Sequence, residues 1–277
     1  MNILKWTQSL SESFWTDLSG SEFLENIAFS RFAAPLLVDL SQKHLEKESL
    51  ILDFGAGHNL YLVKELLKRG YRVAYHEPNQ GKSQRDSGQA DNANFLGPVS
   101  ELGIQLYDCI FFSEVIEHLF ESQLSIVMTA LSKALKPEGI LIVTTPDNEN
   151  LLAASRYCPV CKHLFHPWGH LRSFTPETLE AFLLQFGFHC EELHNVDFSS
   201  ARETVEELKR LKRRIKEFVE VQKETRGMTN GVARVFEEYV GFFGDVLRSD
   251  TSENPQRRQI GFGGTLVVFA KKHEVSD

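Results

Sequence analysis

Three things are scarce in this 277-residue chain, and each scarcity removes a class of protein. There are only four cysteines, too few for a disulfide scaffold at this length, so a reducing compartment fits and a cytoplasmic location is expected. No apolar run approaches the ~20 residues of a membrane-spanning helix. The opening MNILKWTQSL has no long apolar stretch ahead of a small-residue cleavage site, so no secretory signal is read there. Positive charge is also short. The 30 Lys and Arg against 38 Asp and Glu give a net charge of −8, which disfavours a protein that embraces nucleic acid through its whole surface. Core material, by contrast, is plentiful: 42% of residues are hydrophobic and 11% aromatic, as in a folded chain and unlike a disordered one.

The period of the apolar pattern divides the chain. Residues 1–48 read as an N-terminal helical cap, with Leu36, Leu37, Leu40 and Leu45 at near-helical spacing behind Trp6, Phe14, Trp15 and Phe23. From 49 to 198, short strand-like runs (Ser49–Phe54, Tyr71–Tyr75, Phe95–Leu96, Tyr107–Phe112, Ile140–Thr145 and 188–198) alternate with helical stripes. One stripe, from Leu60 to Leu67, stops at Gly70; another runs from Leu124 to Leu135; a third opens on Thr175 as cap and Pro176 as first residue. Residues 79–94 are polar and poorly periodic, and Lys136–Gly139 is turn chemistry. This alternation predicts an α/β fold with a doubly wound, mostly parallel sheet in the 49–198 core. Residues 199–250 read as a helical hairpin inserted before a final segment, 251–277, that returns the strand Thr265–Ala270 to the sheet. The basic run Lys209–Lys216 in that hairpin is interrupted by Leu211 and Ile215 at core spacing, so it reads as a solvated helix face.

Between the first strand and its helix lies Asp53-Phe54-Gly55-Ala56-Gly57-His58-Asn59. Glycines there let a backbone approach a ligand closely, and the helix N-terminus offers amide donors. Glu77, at the end of the next strand, is placed to accept the hydroxyls of a ribose. A dinucleotide would call for a third glycine at position 60, which is Leu60. S-adenosylmethionine has no pyrophosphate and carries a cationic sulfonium, for which Asp53 is a suitable neighbour.

The later segments favour the second ligand. The runs Ile51–Gly57, Glu77, Tyr107–Leu119, Leu135–Val143, Ser173–Leu179 and Phe186–Phe188, in that order, resemble the class I S-adenosylmethionine-dependent methyltransferases. The resemblance implies a Rossmann-like, seven-stranded sheet. It also implies that Gly55, Ala56 and Gly57 line the methionine part of the cofactor, that Glu77 holds the ribose, and that Ser113 and Glu114 lie near the methyl group. Asp53, Asn59 and Pro78 complete the candidate cofactor set. Asn59 stands where the resembling family often has a glycine. Gly97-Pro98 stands where it often has an Asp for the adenine amine.

Chemistry is expected from Glu114-Val-Ile-Glu117-His118, at the strand edge where open α/β sheets bind ligands. His118 is the candidate base and Glu114 its companion. The same run also resembles the metal-binding run of small-RNA 2′-O-methyltransferases, with His166 or His170 completing it. A second constellation, Cys158, Cys161, His166 and His170, has the ligand types and spacing of a tetrahedral zinc knuckle. The expected activity is O-methylation, ahead of N-methylation, of a small molecule or sugar-containing intermediate. The alternatives are metal-assisted RNA 2′-O-methylation and a non-catalytic nucleotide-binding or assembly module. No membrane span and no nucleic-acid partner are expected.

Overall fold

The computed structural model describes residues 2–19, 21, 28–78, 93–198, 257–260 and 264–272. The expected hairpin over 199–250, its basic run and most of the 79–94 segment lie outside them. The strands, in chain order, are β1 (Asn2–Ile3), β2 (Leu50–Phe54), β3 (Arg72–His76), β4 (Ala93–Leu96), β5 (Tyr107–Ser113) and β6 (Leu135–Pro146). They continue with β7 (Arg156–Tyr157), β8 (His163–Phe165), β9 (Phe188–Val196), β10 (Arg257–Ile260) and β11 (Thr265–Lys272). The longer helices are α1 (Gln8–Leu18), α2 (Phe29–Ser41), α3 (Tyr61–Lys68), α4 (Glu121–Ala134) and, after the four-residue α5 (Leu151–Ala154), α6 (Pro176–Leu184).

The main sheet runs β9-β11-β6-β5-β2-β3-β4, with β10 added beside β9 as an eighth, edge strand. From β6 to β4 every pairing is parallel, and β11 enters antiparallel between β6 and β9. This is the expected seven-stranded, mostly parallel sheet. Its central strands carry apolar residues on both faces. Leu52, Phe112, Val143 and Val268 point to the side packed by α4 and α6, while Ile51, Phe111, Ile142 and Phe269 point to the side packed by α2 and α3. Burial on both faces explains why these strands read as unbroken apolar runs. Each of these side chains is 0% exposed, which is worth about 1.5–3 kcal/mol apiece.

Two local readings are refined. Lys136–Gly139 does have turn character, with Glu138 at φ +61°, but it lies within β6. The register passes from Tyr107↔Leu135 to Cys109↔Ile140, so the extra residues are accommodated as an irregularity of the strand. Lys136 Nζ donates to Asp108 Oδ1 (2.6 Å) across it. At the glycine loop, position 60, where a dinucleotide site would call for glycine, Leu60 takes a left-handed backbone (φ +54°) with its side chain 0% exposed. The Thr175 cap forms as expected, its Oγ1 accepting from Thr178 N at 3.3 Å.

Candidate functional site

The parallel strands all end at one edge of the sheet, and the loops that leave them enclose a cleft of about 890 Å³. That size suits a small-molecule ligand. Its walls include every residue of the candidate cofactor set: Asp53, Gly55, Ala56, Gly57, Asn59, Glu77, Pro78 and Ser113. Glu114, His118 and His170 line it as well, as do Trp15 of α1 and Ser19 just after that helix.

The glycine loop is held against β3. Gly55 N and Ala56 N donate to His76 O at 2.9 and 3.1 Å, and Gly57 N donates to Glu77 Oε2 at 2.8 Å. Gly55 has φ +83°, and a Cβ there would lie 2.4 Å from Val115 Cγ2, so both backbone and space call for glycine. Asp53 is 2% exposed and its Oδ2 has no hydrogen-bond partner. Burial, helped by Glu77, pushes its pKa up to about 8. His76 stacks on Phe54 (centroids 4.3 Å apart) and burial holds it neutral, its pKa lowered to about 4.

Further along the edge lies a group of six ionisable side chains. Glu114, at φ +53°, accepts from Thr144 Oγ1 at 2.9 Å. Glu117 is 1% exposed; its Oε2 accepts from Thr145 Oγ1 at 3.1 Å, and its Oε1 has no hydrogen-bond partner. Burial raises both carboxyls above their ordinary range. His118 sits edge-on between Trp15 (5.1 Å) and His170 (4.7 Å), with its Nδ1 unpartnered. Burial lowers its pKa to about 3, with His170 adding to the effect. Glu149 reaches two imidazoles: Oε1 lies 3.1 Å from His166 Nε2, and Oε2 contacts His170 Nδ1. Arg172 braces the turn Ile116–His118 from below, donating to Ile116 O (2.9 Å) and Leu119 O.

Among the described residues, two trios have ligating atoms within 4.8 Å of one another, Glu117–His118–His170 and Glu149–His166–His170. Neither includes a thiol. Cys158 and Cys161 stay at the tip of the β7–β8 hairpin, where Cys158 N donates to His163 O (2.8 Å) and Cys161 is exposed. The extended β8 carries the chain away from them at ~3.3 Å per residue before His166 begins. The knuckle expected from Cys158, Cys161, His166 and His170 is therefore divided, its histidines paired with Glu149 and not with the thiols. Trp15 was named from the sequence only among the aromatics of the N-terminal cap, and Glu149, Thr144 and Arg172 were not singled out. Only Glu149, just past the end of β6, carries a positional signal that points to the ligand-binding edge.

A family described as methyltransferase domain matches residues 23–193, more than half of the chain. The chain belongs to that family and, by family and fold together, is a class I S-adenosylmethionine-dependent methyltransferase. Among solved structures it is similar to the Burkholderia thailandensis 1,6-didemethyltoxoflavin-N1-methyltransferase, bound to 1,6-didemethyltoxoflavin and S-adenosylhomocysteine. That match has 15% identity and a TM-score of 0.57, covering 99% of this chain and 94% of that one. It is likewise similar to an S-adenosylmethionine-dependent methyltransferase from Archaeoglobus fulgidus, at 15% identity and TM-score 0.50 over 90% and 99% of the two chains. Comparison with curated proteins returns no match.

Proposed function

We propose that the protein transfers a methyl group to a hydroxyl oxygen of a small molecule. S-adenosylmethionine, when bound, supplies an electrophilic methyl on a sulfonium and leaves as the neutral thioether. The fit of the cleft to that cofactor rests on an orphaned buried Asp53 oxygen, a loop that admits no Cβ at Gly55, and a second acid, Glu77, one strand over. In this reading Gly55, Ala56 and Gly57 face the methionine moiety. Glu77 takes the ribose hydroxyls while retaining the Gly57 amide. Pro78 borders the nucleoside, and Ser113 and Glu114 border the transferring group.

The acceptor binds between the cofactor and the carboxylate–imidazole group. A neutral amine attacks a sulfonium with its own lone pair, whereas a hydroxyl must lose its proton as the new bond forms. A group of carboxylates and imidazoles is what that proton calls for, and this single observation carries the choice of oxygen over nitrogen. His118, with a pKa lowered to about 3, is a poor base at neutral pH. The geometry favours His170, whose Nδ1 faces Glu149 and whose Nε2 is left for the acceptor, with His118 packed against its edge. With an acceptor bound, His170 would take the hydroxyl proton on Nε2, and Glu149 at its Nδ1 would stabilise the resulting imidazolium.

The test is calorimetry with S-adenosylmethionine, followed by S-adenosylhomocysteine release over matched hydroxyl and amine acceptors. One cofactor per chain and turnover on hydroxyls are expected, with His170→Ala slowing turnover ~100-fold or more. Turnover on amines alone would reject the oxygen assignment, and no cofactor binding would reject the whole reading.

A further inference from the structure

We propose that Cys158 and Cys161, at the tip of the hairpin formed by β7 and β8, are a thiol–disulfide exchange site for small-molecule disulfides. Cys158 is the attacking thiol and Cys161 resolves the mixed disulfide. The site stands apart from methyl transfer, since no cysteine is among the described residues that line the cleft.

With the expected knuckle divided, the two thiols supply only half of a tetrahedral zinc set. The turn that holds them aims its donors at one sulfur instead. Lys162 N donates to Cys158 O (2.9 Å) and Cys158 N to His163 O (2.8 Å), with Lys162 left-handed at φ +62°, so the chain folds back tightly between the thiols. Inside this turn the backbone N–H groups of Cys161 and Val160 donate to the Cys158 sulfur, and so does the Cys161 thiol. Hydrogen bonds of this kind favour the thiolate, and with Lys162 nearby they hold the Cys158 pKa below its ordinary value. The thiolate is the form that attacks a disulfide. Access is open as well: Cys161 is exposed, and Val160 between the thiols is 88% exposed.

The other two cysteines lack this setting. Cys109 is 0% exposed within β5, and burial pushes its thiol well up. Cys190, half-buried in β9, donates to Glu192 O at 3.4 Å.

The exchange takes two steps. The Cys158 thiolate attacks one sulfur of the incoming disulfide. A bond forms to Cys158, the old S–S bond breaks, and one half leaves as a thiolate that takes a proton. Cys161, already in hydrogen-bond contact with that sulfur, loses its proton to water, attacks, and expels the second half, which is protonated in turn. Two cysteine thiols are oxidised to one disulfide, and one small disulfide is reduced to two thiols. The second step is intramolecular across a turn already formed, so the mixed disulfide does not accumulate.

The experiment uses the full chain, reduced, freed of reductant without air and mixed with glutathione disulfide. Intact mass and peptide mapping after an acid quench should show one disulfide, between Cys158 and Cys161, with Cys109 and Cys190 unmodified. Cys161→Ser should stop at one glutathione carried on Cys158. Cys158→Ser should slow the first step ~10-fold or more. Both residues lie outside the two apolar cores, so the variants should fold, and the wild-type readout needs neither. No disulfide at this pair, over glutathione mixtures from reducing to oxidising, would overturn the proposal. So would glutathione on Cys190 in place of Cys158 in Cys161→Ser, or Cys158→Ser reacting as fast as the wild type.

Discussion

Asp53 shows how much one side chain can report about a cleft. Burial, then Glu77, lifts its pKa from 3.8 to about 8. The unfolded chain releases this proton near pH 4, while the folded chain keeps it to about pH 8, so the native state binds the extra proton between them. Stability from this group is complete below pH 4 and is lost as the pH rises through that window, by at most ~1.4 kcal/mol per unit. Denaturant unfolding of the cofactor-free protein from about pH 5 to about pH 8 should show this decline, and Asp53→Asn should make it shallower, leaving the share that the buried Glu114 and Glu117 carry. A cationic ligand beside Asp53 favours the carboxylate, so cofactor binding at neutral pH should release a proton. Calorimetry in two buffers of different ionisation enthalpy measures that release, which Asp53→Asn should remove. Gly55 tests the same loop sterically. Gly55→Ala places a Cβ 2.4 Å from Val115 Cγ2 at φ +83°, and the backbone conformation alone costs about 1–2 kcal/mol. Cofactor affinity should fall ~10-fold or more at that cost. Adding Val115→Ala should restore part of the affinity, since it relieves the contact though not the dihedral.

At the scale of elements, what the sequence made legible follows from how locally each feature is encoded. Strands β5 and β6 were readable because burial on both faces leaves continuous apolar runs such as Cys109–Phe112 and Ile140–Val143. The glycine loop was readable because its requirements are local. The carboxylate–imidazole group was read only in part. Glu114, Glu117 and His118 follow β5, Glu149 follows β6, and His166 and His170 follow β8, so their meeting depends on the sheet order. Spacing alone grouped the two thiols with His166 and His170, because it does not register that residues 163–165 are extended. Arg172 was invisible for a similar reason, since its partners are backbone carbonyls more than fifty positions earlier. Its guanidinium is the main brace of the turn that carries Glu117 and His118. Arg172→Ala should therefore cost about 2–3 kcal/mol in thermal or denaturant unfolding. It should lower kcat more than it raises KM for the cofactor, because the loop Gly55–Gly57 is held by β3 and not by this turn. Arg172→Lys, with one cationic centre in place of a fork, should recover only part of each.

For the molecule as a whole, the balance of contacts separates a rigid sheet from the segment that covers its ligand edge. Helix α1 has no buried residue, and neither apolar core draws on it. It is attached at a few points. Asn2 and Ile3 pair with His163 and Leu164, Trp6 lies against Gly169, Trp15 meets His118 edge-on, and Ser19 Oγ is 3.3 Å from His58 Nδ1. Such a segment opens at a small fraction of the free energy needed to unfold the sheet, yet two of its contacts are with residues that line the cleft. Filling the cleft should hold it closed. Limited proteolysis within residues 5–18 should slow when S-adenosylmethionine or S-adenosylhomocysteine is added, while global stability rises only by the amount that mass action on binding allows. Trp15→Ala separates the two roles. It should change the unfolding free energy by less than ~1 kcal/mol, as expected for a residue outside the core, yet raise KM for the acceptor ~10-fold by removing one side of the pocket around His118. A large loss of stability in Trp15→Ala would mean that α1 is part of the folding unit. Equal proteolysis with and without cofactor would mean that the helix does not sense the cleft it covers.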